Sequence, residues 1–356
     1  MEPLSKVQKL IDLYDFKEKS ALTRLPNRAI EAFQAAHFGL VGYPAKITSA
    51  RELWRYHDVM HENQFENNIR LLGTSLNHPE GIALVKETAS KILQFSENYF
   101  GIRSAGKEAL SRALYQFAQL SRALSGFPRP WTILEIGPGS GYLGVLLGLS
   151  GNRYVAVEAS QAFFVYQSCL FDETFGDQYA NGIDGVDSAR ISHIPWWQFC
   201  AEDSILQQFD CATANHMLCE MTKSAAEFMF AKFHRTQRGN FFCIADTLGA
   251  DTFRPRKKVV AGISARGFHV KEQQDQLWMF VRTDAEPEIE WLQSRRSFIT
   301  RAKARIRRYA FRSRGPSGSD SDFEPSTKQV ISDVKTILAG FPNWESGDSR
   351  FNRWSW

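Results

Sequence analysis

The chain has 356 residues, 43% hydrophobic and 23% charged, with a formal net charge of +4. That is a globular composition, which excludes a disordered or collagen-like chain and is long enough for a large domain with a companion. No stretch is apolar and uncharged for long enough to read as a secretory signal or a membrane span.

Five cysteines, Cys169, Cys200, Cys211, Cys219 and Cys243, lack CxxC spacing and sit in apolar runs. Reduced, buried thiols are expected rather than disulfides or zinc, and with them a cytoplasmic location.

Residues 1–130 read as helical, with apolar residues recurring every three or four positions. Ser49 and Glu52 have capping-box spacing ahead of LWRYHDVM, and Asn77-His-Pro79-Glu80 is suited to start the helix that follows. ALSRALYQFAQLSRAL gives a further amphipathic helix that stops at Gly126 and Pro128-Arg-Pro130. His57 and His61 stand at i,i+4 spacing with Glu62. This is not the HExxH order of a zinc protease, and a solvated face is the reading preferred over a metal site. Trp54, Arg55, Tyr56 and His57 are candidates for an acceptor pocket, since a helical cap must cover the open end of a sheet, and Arg51 and Arg55 suit an acidic acceptor.

From Trp131 short apolar runs alternate with helices, the pattern of βαβ units and a parallel sheet. Strands are expected at 132–136, 153–157, 190–194, 209–214, 240–245, 267–272 and 277–282, the last two as an antiparallel pair. The first strand runs straight into Gly137, Pro138, Gly139 and Gly141 and then into an apolar helix. Glycines let the chain turn tightly and bring helix N-terminal amides close to a ligand. Gly139-Ser-Gly141-Tyr-Leu-Gly144 also fits a dinucleotide fingerprint, so the spacing alone leaves NAD and S-adenosylmethionine open. Context favours the methyl donor. Glu135, two places before the first glycine, suits the ammonium group of the methionine moiety and would repel a pyrophosphate. Glu158 ends the second strand some twenty residues on, where a carboxylate accepts from both ribose hydroxyls; the plainer alternative is an acid starting the helix at Ala159-Ser160.

The segment 131–284 resembles the class I S-adenosylmethionine-dependent methyltransferases. A narrower likeness, to the putative sugar O-methyltransferase family, rests on Ile191-Ser-His193-Ile-Pro195-Trp196-Trp197 and on Asn215-His216-Met-Leu-Cys-Glu220-Met221. The resemblance implies a Rossmann-like, seven-stranded sheet with an N-terminal helical domain. It places Gly137, Gly139, Gly141, Glu158 and Ala159 around the cofactor, with Trp196 against adenine. An acid commonly stands beside the adenine amino group in that superfamily; Pro195-Trp196-Trp197-Gln198 takes its place here, leaving stacking, Gln198 or Glu202.

Methyl transfer to a hydroxyl needs in-line alignment and removal of a proton. His216, after the fourth strand, is the first candidate for general base, with Glu220 one helical turn on to orient it and Asn215 positioning groups at the cofactor; a turn-capping histidine is the alternative. Asp246, after the fifth strand, is a second carboxylate or a turn residue. A small-molecule acceptor is therefore expected, a sugar or other polar hydroxyl compound.

Residues 285–356 are expected to hold a basic helix, a flexible linker and a last short helix. The stretch 291–314 has nine Arg or Lys and no acid. A solvated face is preferred there over nucleic acid or anionic membrane. An RNA or protein methyltransferase, and a non-catalytic partner of the same fold, are the competing functions.

Overall fold

A computed structural model describes residues 2–34, 45–57, 65–72, 76, 79–125, 127–185, 189–201, 209–215, 217–218, 221, 223–234, 241–245, 256–265, 268–274 and 277–282, with 332, 334, 336 and 337 near the C-terminus. The N-terminal part holds α1 (Glu2–Leu22), α2 (Asn27–Gln34), a 3-10 stretch (Ala50–Tyr56), α3 (Phe65–Leu71), α4 (Pro79–Phe100) and α5 (Lys107–Ala123). The Ser49–Glu52 capping box forms, with Glu52 reaching back to the Ser49 backbone. It heads a 3-10 stretch, helical but of tighter pitch than an α-helix,. Pro79 opens α4, where its missing N–H costs nothing,.

The sheet follows: β1 (Thr132–Ile136), α6 (Tyr142–Leu149), β2 (Arg153–Glu158), α7 (Gln161–Phe175), β3 (Tyr179–Asn181), β4 (Ile191–Pro195), α8 (Trp196–Ala201), β5 (Cys211–Thr213), α9 (Lys223–His234), β6 (Phe241–Ala245), α10 (Arg256–Ser264), β7 (Phe268–Gln274) and β8 (Leu277–Arg282). The eight strands lie in the order β3-β4-β2-β1-β5-β6-β8-β7. All run parallel from β3 through β6, while β8 is antiparallel to both β6 and β7. The expected count of seven is corrected by β3, a short, half-exposed edge strand on β4.

Both faces of the sheet are covered at its centre, which is why β1, β2 and β4 are buried along nearly their whole length rather than alternating,. Along β2, Tyr154 and Ala156 enter one apolar cluster while Val155 and Val157 enter the other. The first cluster joins α4, α5, α6 and much of α7 with Val7 and Ile11 of α1. Helices before residue 130 thus share a core with the sheet after it. Val334 also belongs to this cluster. The second cluster gathers Trp196, Trp197 and Phe199 of α8 with the apolar face of α9, and includes Tyr14 of α1. No helix among the described residues is long and apolar enough to cross a membrane.

Candidate cofactor and active site

The chain leaves β1 for β2 and β4 on one side, then returns to β5 on the other. A crevice therefore opens at the carboxyl ends of β1 and β5, the position where open α/β sheets bind ligands. Glu135 pairs in register with Thr213, so the residues just beyond them, Gly137 and Asn215, stand on either side of it. The cleft is lined by Arg112 and Gln116 of α5, Glu135, the loop from Gly137 to Gly141, and Asn215.

Gly137, Gly139 and Gly141 have φ of 68°, 60° and 77°, the left-handed region that costs L side chains energy,. Two of them serve different ends. A Cβ on Gly137 would stand 2.6 Å from Met217 Cγ, so this glycine allows the turn to pack against the segment after β5. A Cβ on Gly139 meets nothing within 4 Å; it would project into open space. Gly141 then caps α6 without a side-chain acceptor, leaving the first amides of that helix to a ligand,.

Glu135 is 2% exposed at the floor of the cleft. The Tyr154 hydroxyl donates to its Oε2 at 2.6 Å, and the Asn215 amide donates to its Oε1 at 3.4 Å. Burial pushes its pKa up to about 7, and the two hydrogen bonds only partly offset that,. A cationic ligand group placed beside this carboxyl would favour its ionised form. Arg112, 7% exposed, adds a cation to the same lining. An acid and a base in one cleft complement the two charges of an amino-acid end.

Glu158 closes β2 and is likewise 2% exposed. Its Oε1 accepts from the Ala159 and Ser160 amides at 2.8 and 2.9 Å, so it does start the following helix, whose N-cap is Ser160. Its Oε2 accepts from Gln167 at 3.3 Å, and Gln167 also donates to the Gly139 carbonyl at 2.5 Å. Gln167 thereby ties the acid to the glycine loop, setting the spacing between the two. Burial raises the Glu158 pKa to about 7 as well.

Comparison with known proteins adds the following. No family model matches the chain, and no curated protein does. Solved structures similar to it include a TehB-like methyltransferase from Corynebacterium glutamicum, 15% identical, covering 47% of this chain and 87% of that one, TM-score 0.34. Another is magnesium protoporphyrin IX methyltransferase from Synechocystis with bound S-adenosylmethionine, 10% identical, covering 72% and 98%, TM-score 0.37. A third is 1,6-didemethyltoxoflavin-N1-methyltransferase from Burkholderia thailandensis with its substrate and S-adenosylhomocysteine, 17% identical, covering 58% and 90%, TM-score 0.36. All three are methyltransferases. Residue roles in this chain rest on its own geometry.

That geometry gathers Glu135, Gly137, Pro138, Gly139, Gly141 and Asn215 into one cleft, and Gln167 links Glu158 to it. Trp196 is buried in the second core cluster, and its indole N–H donates to Glu18 of α1 at 2.9 Å. Gln198 is turned to the Ile183 carbonyl at 3.1 Å. His216, Glu220, Asp246, Glu202 and His61 lie outside the described residues, as does the basic segment 291–314.

His57 corrects an expectation. It is fully buried, not on a solvated face. Its Nδ1 lies 3.0 Å from the Tyr166 hydroxyl and 3.1 Å from that of Tyr142, and its Nε2 lies 2.9 Å from the Ser104 carbonyl. Desolvation drives its pKa down to about 3, so the ring is neutral. With Ser140 donating to the Tyr56 carbonyl at 3.0 Å, this cluster fastens the 3-10 stretch onto the glycine loop. Arg55 pairs with Glu52 at 3.3 Å, within its own turn. The partners that spacing did not reveal are Tyr154, Gln167 and Arg112; the first faces Glu135 across the β1–β2 register, and the others arrive by helix packing.

Proposed function

We propose that the cleft binds S-adenosylmethionine and that the chain transfers its methyl group to a small polar acceptor, a hydroxyl compound such as a sugar. The observation that carries this reading is the pairing of two buried carboxyls, Glu135 and Glu158, on either side of a loop whose central glycine faces open space. A sulfonium cofactor with an amino-acid end and a ribose presents the groups those carboxyls would take. Bound there, it supplies an electrophilic methyl.

The chain's own part is binding, orientation and exclusion of water. Glu135 in its ionised form holds the ammonium group, with the Tyr154 and Asn215 bonds fixing its orientation. Arg112 takes the carboxylate of the same moiety. Glu158 accepts from the ribose hydroxyls, held at the loop by Gln167. Residues 131–284 form the cofactor domain in this reading, and helices from 1–130 cap it, α5 directly. His216 is proposed as general base, with Glu220 orienting it, and Asp246 as a further acid at the acceptor.

The test is to incubate the chain with S-adenosylmethionine and a panel of sugars and polar hydroxyl compounds, reading products by mass. A gain of one methyl on an acceptor, abolished in His216→Ala with cofactor binding intact, is the expected result. Turnover on RNA or protein that disappears when residues 291–356 are deleted would replace the small acceptor with a polymer.

A further inference from the structure

Helix α5 closes one side of the cleft. A Cβ on Gly106, its N-cap, would stand 2.6 Å from the Tyr142 hydroxyl, so the helix begins against the start of α6, and it packs on β6 as well. Ala109, Arg112, Ala113 and Gln116 recur at three- and four-residue spacing, which puts them on one face of α5, and that face lines the cleft,. On β1, Glu135 points the same way as Ile133 two residues before it, whose apolar cluster also holds Ala113, Leu114 and Phe117 of α5,. The two alanines carry no polar atom in their side chains. Arg112 and Gln116 are what α5 offers a ligand.

Other polar side chains of the lining are engaged inside the protein. Ser140 donates to the Tyr56 carbonyl, the Tyr142 hydroxyl lies 3.1 Å from His57 Nδ1, and Asn215 donates to Glu135. Gln116 makes no hydrogen bond with any described residue. It is only 7% exposed, yet neither end of its amide is sealed from the cleft. A primary amide carries two N–H donors and an acceptor oxygen, and native proteins pair such groups when they are this deeply buried. The partner must come from whatever fills the cleft. Arg112, one helical turn away on the same face, is the group proposed to take the cofactor's carboxylate, and an N–H donor beside a guanidinium gives that anion a second arm.

We infer that Gln116 is a cofactor-binding residue, its amide N–H donating to the carboxylate of the amino-acid end beside Arg112. The inference rests on the S-adenosylmethionine reading of the cleft.

Full-length wild type, Gln116→Met and Gln116→Glu are compared by calorimetry with S-adenosylhomocysteine and with its analogue that keeps the amine and lacks the carboxylate, and by thermal melting without ligand. Methionine keeps the length of the side chain and removes the amide. It is expected to weaken S-adenosylhomocysteine by about tenfold, the scale of one lost hydrogen bond, and to leave the analogue unchanged. Its ligand-free melting temperature stays level or rises, since an unpaired buried group is deleted. Gln116→Glu sets a like charge against the ligand's carboxylate, so it is expected to weaken S-adenosylhomocysteine further and not to weaken the analogue. Unchanged affinity for S-adenosylhomocysteine in both variants overturns the inference and leaves the cofactor reading standing. Equal losses for the two ligands, or variants that melt several degrees lower or fail to fold, overturn it too, because the amide then serves another group or the packing. Failure of wild type to bind either ligand overturns both.

Discussion

The proposed role of Glu135, to hold an ammonium group, requires the carboxyl to be ionised when the ligand arrives, and burial sets that in balance. Burial has raised its pKa from 4.5 to about 7. The sign of the consequence for stability follows directly: the folded form binds the proton more tightly than the unfolded chain, so the stabilisation present below about pH 4.5 is lost as pH rises through about 7. The full effect is about 3 kcal/mol at most for such a shift. Glu135→Gln mimics the protonated form. It is expected to melt higher than wild type at about pH 8 and to lessen the fall in melting temperature between about pH 5 and pH 8, the remainder coming from Glu158, whose pKa is raised to about 7 as well,. Ligand affinity runs the other way. Wild-type affinity for S-adenosylhomocysteine is expected to rise with pH across that window, and the glutamine variant to bind at least about tenfold more weakly at its upper end. A wild-type affinity independent of pH would remove Glu135 from the ammonium's partners. The acid itself was legible in EIGPG, but its partner was not. Tyr154 reaches it only through the β1–β2 register, which brings Glu135 beside Ala156, two residues along from Tyr154.

Elements were legible to the degree that burial leaves a periodic mark. The central strands β1, β2 and β4 stand out because the sheet is covered on both faces there,. The Tyr179–Asn181 strand does not, since an edge strand that is half-exposed carries no such mark. The helical start at Ser49 is legible in its capping box, which does not fix the pitch, and the stretch Ala50–Tyr56 is 3-10,. His57 looked like a surface histidine at helical spacing. What buries it is contact with Tyr142 and Tyr166, which lie on α6 and α7, far along the chain. The glycine loop is the element where sequence and structure agree most closely, and it allows a separation of folding from binding. Gly139→Ala places a methyl in open space at a positive φ, so it is expected to cost about 1–2 kcal/mol of stability while abolishing cofactor binding. Paired melting and calorimetry check this; a variant that binds normally would mean the loop does not face the ligand.

At the scale of the whole molecule, the N-terminal helices and the sheet share one apolar cluster, and α5 contributes Arg112 and Gln116 to the cleft. The helical region was recognisable as helical, yet its side-chain contribution to the site was not, because spacing along a chain does not say which helix lies over which strand. The same limit applies to Tyr14, whose neighbours Trp197 and Phe164 are separated from it by most of the chain's first half. The central claim is therefore one about the assembled cleft, that it takes S-adenosylmethionine rather than a dinucleotide. Calorimetric titration of the full chain with S-adenosylhomocysteine and, separately, with NADH tests it most directly. Saturable binding of the first in the micromolar range with no heat from the second is the predicted result, and binding of NADH with none of S-adenosylhomocysteine would contradict it.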